Sequence, residues 1–226
     1  MAANKKTLRE ILKARWFWFG RWVCRIFVLL FFRIRTYGQD NIPKKGAFII
    51  ISNHQSYLDP IFCSGLIKRH SHFIARDTLF KNWFFGPLIR SVYAIPLKHQ
   101  QGDLAAMKKV IGILNEGDGV CLFPEGTRTE DGKILPFKSG LGLLCRRGNA
   151  TIVPVVIEGA FECWPRTQKL FSPGGTVIVQ YCKAVTAEDA KNMGDKKLAE
   201  FLTDTLRKTQ NEIRIEQGKE PFKYNS

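Results

Sequence analysis

Short apolar runs alternate along this chain with longer stretches in which apolar residues recur every three or four positions. Residues 47–52 (Ala-Phe-Ile-Ile-Ile-Ser) read as a strand buried on both faces, because the run is continuous rather than alternating. Residues 72–75, 93–97, 120–123, 151–157 and 176–181 read as further strands. Between them, Leu104, Met107, Ile111 and Leu114 form the stripe of a helix that Asp103 can cap and that closes near Gly117. Residues 141–146 predict another helix, and Leu198, Phe201, Leu202, Leu206 and Ile213 mark an amphipathic terminal one. This order predicts an α/β fold: a single domain with a largely parallel or mixed central sheet flanked by helices. No internal repeat or low-complexity linker divides it.

The first part of the chain follows a different pattern. Residues 7–35 are rich in Trp, Phe, Leu, Arg and Lys. Arg21 and Arg25 interrupt the apolar stretch, and its longest uncharged run, 26–32, is far short of the roughly 20 residues of a spanning helix. The two arginines lie one helical turn apart, while Trp16, Phe19, Val23, Phe27 and Leu30 line another face. A basic face beside an aromatic one describes a helix lying among lipid headgroups. A helix packed on the domain, or one that spans, are the alternatives. The expected division is a membrane-association segment over 1–37 and the α/β domain over 38–226.

Composition narrows the partners. The 226 residues carry a formal net charge of +15, which suits nucleic acid, an anionic membrane surface or anionic substrates. No recognition-helix, zinc-finger or ribonucleoprotein pattern supports nucleic acid. The six cysteines are scattered, without a Cys-x-x-Cys pair, and read as reduced thiols rather than a disulfide framework or a metal site. No signal peptide is evident, because arginines break the N-terminal stretch and a small-residue cleavage site is lacking.

Two motifs carry the chemistry, each directly after a strand-like run: Asn53-His54-Gln55-Ser56-Tyr57-Leu58-Asp59 and Phe123-Pro124-Glu125-Gly126-Thr127-Arg128. Strand carboxyl ends are where α/β proteins place their sites. A continuous helix would set His54 and Asp59 about 140° apart. Pro60 resolves this, since the residue before a proline is pushed out of helical geometry and 53–59 becomes a loop. Asp59 can then fold back onto the imidazole, fix its tautomer and leave the other ring nitrogen to take a proton, while also capping the helix that follows. In the second motif, Arg128 can grip phosphate through paired hydrogen bonds, Thr127 adds a donor and Gly126 allows close backbone approach. Glu125 is expected to position Arg128 or to contact a hydroxyl of the substrate, and Lys138 is a second cation for the phosphate. A plain surface pair of Glu125 with Arg128 is the bland alternative. His70, His72 and His99 are expected to be structural or surface residues.

These residues resemble the 1-acylglycerol-3-phosphate O-acyltransferase family. Its Asn-His-x4-Asp block is matched by Asn53, His54 and Asp59, and its Phe-Pro-Glu-Gly-Thr-Arg block by residues 123–128. A Phe-Lys-x-Gly follows at Phe137, Lys138 and Gly140, and Val-Pro-Val-x-Ile at 153–157. One block departs: where the family carries an arginine after an Ile-Pro-Val-like strand, this chain has Ile95-Pro96-Leu97-Lys98, and lysine lacks the bidentate fork.

The resemblance implies general-base acyl transfer. His54 and Asp59 would be catalytic, with Glu125, Gly126, Thr127, Arg128, Lys138 and Lys98 holding the phosphate-bearing acceptor. The acceptor would be lysophosphatidic acid, the donor acyl-CoA or acyl carrier protein, and the product phosphatidic acid. No metal or prosthetic cofactor is implied. No Gly-x-Ser-x-Gly elbow suggests an acyl-enzyme. The implied partner is an anionic phospholipid membrane, met peripherally on its cytoplasmic face. Alternatives are another acceptor (glycerol 3-phosphate, another lysophospholipid, an acyl-amino lipid) or a non-catalytic protein that binds anionic lipid.

Overall fold

A computed structural model of the chain describes residues 8–81, 83, 89, 94–97, 104–138 and 141–224. A seven-stranded sheet forms its centre: β1 (Arg33–Tyr37), β2 (Phe48–Ser52), β3 (Ser71–Arg76), β4 (Ala94–Leu97), β5 (Gly119–Leu122), β6 (Thr151–Glu158) and β7 (Thr176–Tyr181). Their order in space is β1-β7-β6-β2-β5-β3-β4. Every neighbouring pair is parallel except β6 and β7, which makes the sheet mixed. Among the described residues the named helices are α1 (Leu8–Phe31), α2 (Asp77–Lys81), α3 (Leu104–Asn115), α4 (Leu141–Gly148), α5 (Ala160–Cys163), α6 (Ala187–Met193) and α7 (Asp195–Glu216).

The central strand β2 is buried along its whole length, and its side chains alternate between two cores. Ile49 and Ile51 pack with Val110 and Leu114 of α3, Leu144 of α4, and Leu198, Leu202 and Leu206 of α7. Phe48 and Ile50 pack on the opposite face with Val28 of α1 and with Phe62 and Cys63 of a π-helical turn at Ile61–Gly65. A side chain at Gly119 would place its Cβ 2.1 Å from the Phe48 ring, so glycine at the start of β5 lets that phenyl lie across the sheet.

Two expectations for the first segment change. The amphipathic stretch ends at α1, and residues 33–37 form β1, an edge strand paired with β7. The strand belongs to the sheet although it lies within the expected 1–37 segment. Its sequence, Arg-Ile-Arg-Thr-Tyr, exposes Arg33, Arg35 and Tyr37 on one side, so its apolar content is too low to read as a strand.

Arg21 also departs from the expected headgroup-facing position. It is 5% exposed, and its guanidinium donates to the carbonyls of Gly65 (3.1 Å), Arg69 (3.4 Å) and Ile67. Those carbonyls lie at and just after the end of the π-helical turn, where carbonyls run out of helical partners. Burial, aided by nearby Arg25, lowers the Arg21 pKa to about 10. Arg21 therefore anchors α1 to the domain, while Trp16, Trp18, Phe19, Trp22, Leu29 and Leu30 stay exposed. Among the described residues, no helix is long and apolar enough to cross a membrane.

Candidate active site

Register brings the two motifs together. β2 and β5 are adjacent and parallel, with Ile51 opposite Leu122. His54 and Glu125 each follow those partners by three residues, so they emerge side by side at the carboxyl edge of the sheet. The His54 backbone N–H donates to Glu125 Oε1 at 2.8 Å, and Thr129 N–H donates to the His54 carbonyl at 2.9 Å.

The first loop closes on Asp59. Its Oδ2 lies 2.7 Å from His54 Nδ1 and accepts the backbone N–H groups of Gln55 (2.6 Å) and Ser56 (2.7 Å). Asp59 is fully buried, whereas the His54 side chain keeps 22% of its surface exposed. A carboxylate only accepts, so Nδ1 carries the hydrogen and Nε2 keeps its lone pair. Phe123 fixes the ring plane from one side, stacked with its centroid 4.2 Å away and tilted by 20°. The expected helix cap at Asp59 is not made. The π-helical turn that follows has Pro60 at its cap position and no side-chain cap bond, and the carboxylate turns back to the upstream amides instead. The histidine and the loop claim the same oxygen, which leaves the carboxylate aimed away from the helix.

Asn53 has a role that the sequence reading did not assign. β2 and β6 pair through Ser52 and Val155, and beyond that point the side-chain amide of Asn53 continues the ladder. Its Nδ2 donates to the Ile157 carbonyl and its Oδ1 accepts the Ile157 N–H, both at 2.8 Å. The carboxamide thus stands in for a peptide group where the main chain leaves the sheet.

In the second loop, Glu125 does not pair with Arg128. It is 4% exposed, and its oxygens accept the N–H groups of His54 and Leu135 (3.2 Å). No ion pair joins Glu125 to Arg128 among the described residues, so Glu125 braces the histidine loop. Burial outweighs those two donors and pushes its carboxyl up to about 8. Gly126 adopts φ +73°, and a Cβ there would lie 2.7 Å from Lys138 Nζ, so its lack of a side chain admits the lysine. Arg128 lies over the ring of Tyr57, its Cζ 3.4 Å from the centroid. Thr127 is half-buried, with its hydroxyl 3.5 Å from the Arg128 carbonyl. Lys98 and His99 lie outside the described residues.

The long loop after β5 is clamped by polar residues of α7. Thr203 accepts the Phe137 N–H, Arg207 donates to the Ile134 carbonyl, and Gln210 donates to the Gly132 carbonyl. Gln55 of the first loop donates to that same carbonyl at 2.7 Å, which ties the two loops together. Thr203 and Gln210 are both buried and interrupt the apolar stripe of the terminal helix. That interruption was the available sequence signal.

At the opposite, amino edge of the sheet, His70 Nδ1 and His72 Nε2 approach Asp118 Oδ2 at 2.9 and 3.6 Å. Among the described residues these three could hold a metal ion, their ligand atoms lying within 4.8 Å of one another.

A fixed His-Asp pair beside a loop bearing cations is a constellation for deprotonating an alcohol held by its phosphate. The Acyltransferase family model matches residues 33–158, more than half of the chain, and the chain belongs to this family. It is 29% identical over 127 residues to the 1-acyl-sn-glycerol-3-phosphate acyltransferase of Bacillus subtilis, covering 56% of this chain and 63% of that protein. It is 34% identical over 143 residues to the human 1-acyl-sn-glycerol-3-phosphate acyltransferase beta, covering 61% of this chain and 50% of that protein. The chain thus spans less than two thirds of either relative. The crystal structure of the 1-acyl-sn-glycerophosphate (LPA) acyltransferase PlsC from Thermotoga maritima superposes with a TM-score of 0.72 at 26% identity, over 95% of this chain and 85% of that one.

Proposed function

We propose that this chain transfers a fatty acyl group from acyl-CoA or acyl carrier protein to the free hydroxyl of 1-acylglycerol 3-phosphate, forming phosphatidic acid. The observation that carries this reading is the 2.7 Å contact of His54 Nδ1 with buried Asp59, which leaves Nε2 as a free acceptor at the carboxyl edge. Nε2 takes the hydroxyl proton as the oxygen attacks the thioester carbonyl. The carbon–sulfur bond then breaks, and the imidazolium returns its proton to the leaving thiolate. Asp59 stabilises the imidazolium. Arg128 and Lys138, with Thr127, hold the phosphate.

Membrane contact belongs to the same reading. The exposed aromatic face of α1 and the +15 charge favour a peripheral position on an anionic, cytoplasmic leaflet. Trp22→Glu with Leu30→Glu is expected to abolish co-sedimentation with anionic vesicles while leaving turnover in micelles intact.

The decisive test is transfer of radiolabelled palmitate from palmitoyl-CoA, or from the acyl carrier protein, to 1-oleoylglycerol 3-phosphate in mixed micelles. Labelled phosphatidic acid is expected from the wild type, and about 10²- to 10⁴-fold less from His54→Ala. Equal transfer by both proteins would sink the mechanism.

A further inference from the structure

Tyr57 stands among the four residues between His54 and Asp59, where the reaction itself assigns it nothing. We propose that it is the positioning residue for Arg128, setting the plane in which the arginine meets the acceptor's phosphate. The proposal rests on the function read above and names a determinant of its affinity.

The geometry is specific. The Arg128 guanidinium lies flat enough over Tyr57 for its central carbon to sit 3.4 Å from the ring centroid. A guanidinium stacked by its face keeps its N–H groups in the plane, pointing outward. Those edge donors are the ones a phosphate takes in pairs. Among the described residues no carboxylate pairs with Arg128. The ring under it therefore fixes the group while leaving its hydrogen-bonding edge available.

Tyr57 is itself held. Its neighbours Ser56 and Leu58 are buried, and its backbone N–H donates to the Trp164 carbonyl at 3.4 Å. The Trp164 ring packs beside it, centroids 5.0 Å apart, and Phe171 lies 6.0 Å beyond. Phe171 in turn meets Phe27 and Phe31 of α1 at 5.3 Å each. An aromatic column thus runs from the docked helix to the arginine. An ordered guanidinium loses less rotamer freedom when the phosphate arrives, and this appears as affinity rather than rate.

The test uses a short-chain lysophosphatidic acid below its micellar concentration. Its Kd is measured by calorimetry, beside kcat and KM, for the wild type, Tyr57→Phe, Tyr57→Leu, Tyr57→Lys and Arg128→Ala. Tyr57 is 43% exposed, so these variants are expected to fold, which circular dichroism checks. Tyr57→Leu should raise Kd and KM about fivefold with kcat nearly unchanged, since cation–π contacts of this kind carry that order of affinity. Tyr57→Lys should raise them further by placing a like charge beneath the arginine, and Tyr57→Phe should stay near wild type. Tyr57→Leu should add nothing once Arg128 is alanine. A fall in kcat at constant KM, a Tyr57→Phe variant as weak as the leucine one, or losses that add in the double variant would each overturn the positioning role alone. No binding by the wild type, or an unchanged Kd in Arg128→Ala, would overturn the phosphate reading and this inference with it.

Discussion

The two loops at the carboxyl edge are immobilised by opposite means. Around His54 the constraints, apart from the stacked Phe123 ring, are hydrogen bonds in a buried setting: Asp59 is fully buried and Glu125 nearly so, and between them they receive four backbone N–H groups and the imidazole. Around Arg128 the constraints are ring faces and a missing side chain: the guanidinium rests on half-exposed Tyr57, and Lys138 lies over Gly126. The difference follows from what each side has to do. A base needs one nitrogen fixed and one free, which a buried hydrogen-bond network supplies. A phosphate grip needs its donors unspent, and stacking orients a cation without consuming them.

Asp59→Ala should break this contrast most severely. It removes the acceptor of two buried backbone N–H groups as well as the imidazole's partner. Folding should lose about 2 to 4 kcal/mol by denaturant titration, from the cost of unpaired buried donors. Turnover should fall by at least about 10²-fold, since the imidazole loses both its tautomer and its orientation. Asp59→Asn keeps an acceptor of nearly the same shape, so stability should recover more than activity.

The legible and illegible parts of the molecule differ for physical reasons. The strands of the central sheet stood out because burial on both faces demands unbroken apolar runs, as at residues 48–52 and 151–158. His54 and Asp59 were legible from their spacing in the motif, but the loop expected through Asp59 stops at Leu58: Asp59 and Pro60 already lie in the helical turn, and the carboxylate still reaches back to the imidazole. Edge strand β1 was not, since only its alternate residues are covered and two of the others are arginines. Arg21 read as part of a basic face among headgroups because its charge was visible and its carbonyl partners, over forty positions away in sequence, were not. The expected pairing of Glu125 with Arg128 failed likewise. A carboxylate beside an arginine in sequence suggests a pair, and nothing local reveals that the neighbouring strand delivers the amide of His54. Residues whose partners are backbone groups of another element are the hardest to read from the chain alone.

Glu125 gives the contrast a pH dependence. Its folded-state pKa of about 8 stands above the ordinary 4.5, so the folded protein holds this proton more tightly than the unfolded chain. Its contribution is fully present below the ordinary carboxylate range and is lost as pH rises through 8. The expected slope is about 1 kcal/mol per pH unit within that window. Glu125→Gln cannot titrate and directs its NH₂ at one of the two backbone donors. It should therefore start less stable at low pH and close the gap as the pH rises. Parallel urea titrations of the two proteins measure this, and a gap that stays constant across the window would show that the buried carboxyl is not the titrating group.

Arg128→Lys should have the smallest effect on stability and sharpens the contrast most cleanly. Lysine keeps the charge but has neither the flat face that rests on Tyr57 nor the paired donors. Because the arginine is half-buried and no carboxylate pairs with it among the described residues, unfolding stability should stay within about 0.5 kcal/mol of wild type. The KM for lysophosphatidic acid should rise about tenfold, the equivalent of one charge-assisted bond, with kcat largely retained. Added salt should weaken binding by the lysine variant more than by the wild type, because an unstacked ammonium acts as a solvated point charge. If the lysine variant instead lost stability on the scale of Asp59→Ala, the arginine would be part of the folded scaffold, and the division between a hydrogen-bonded loop and an open one would fail.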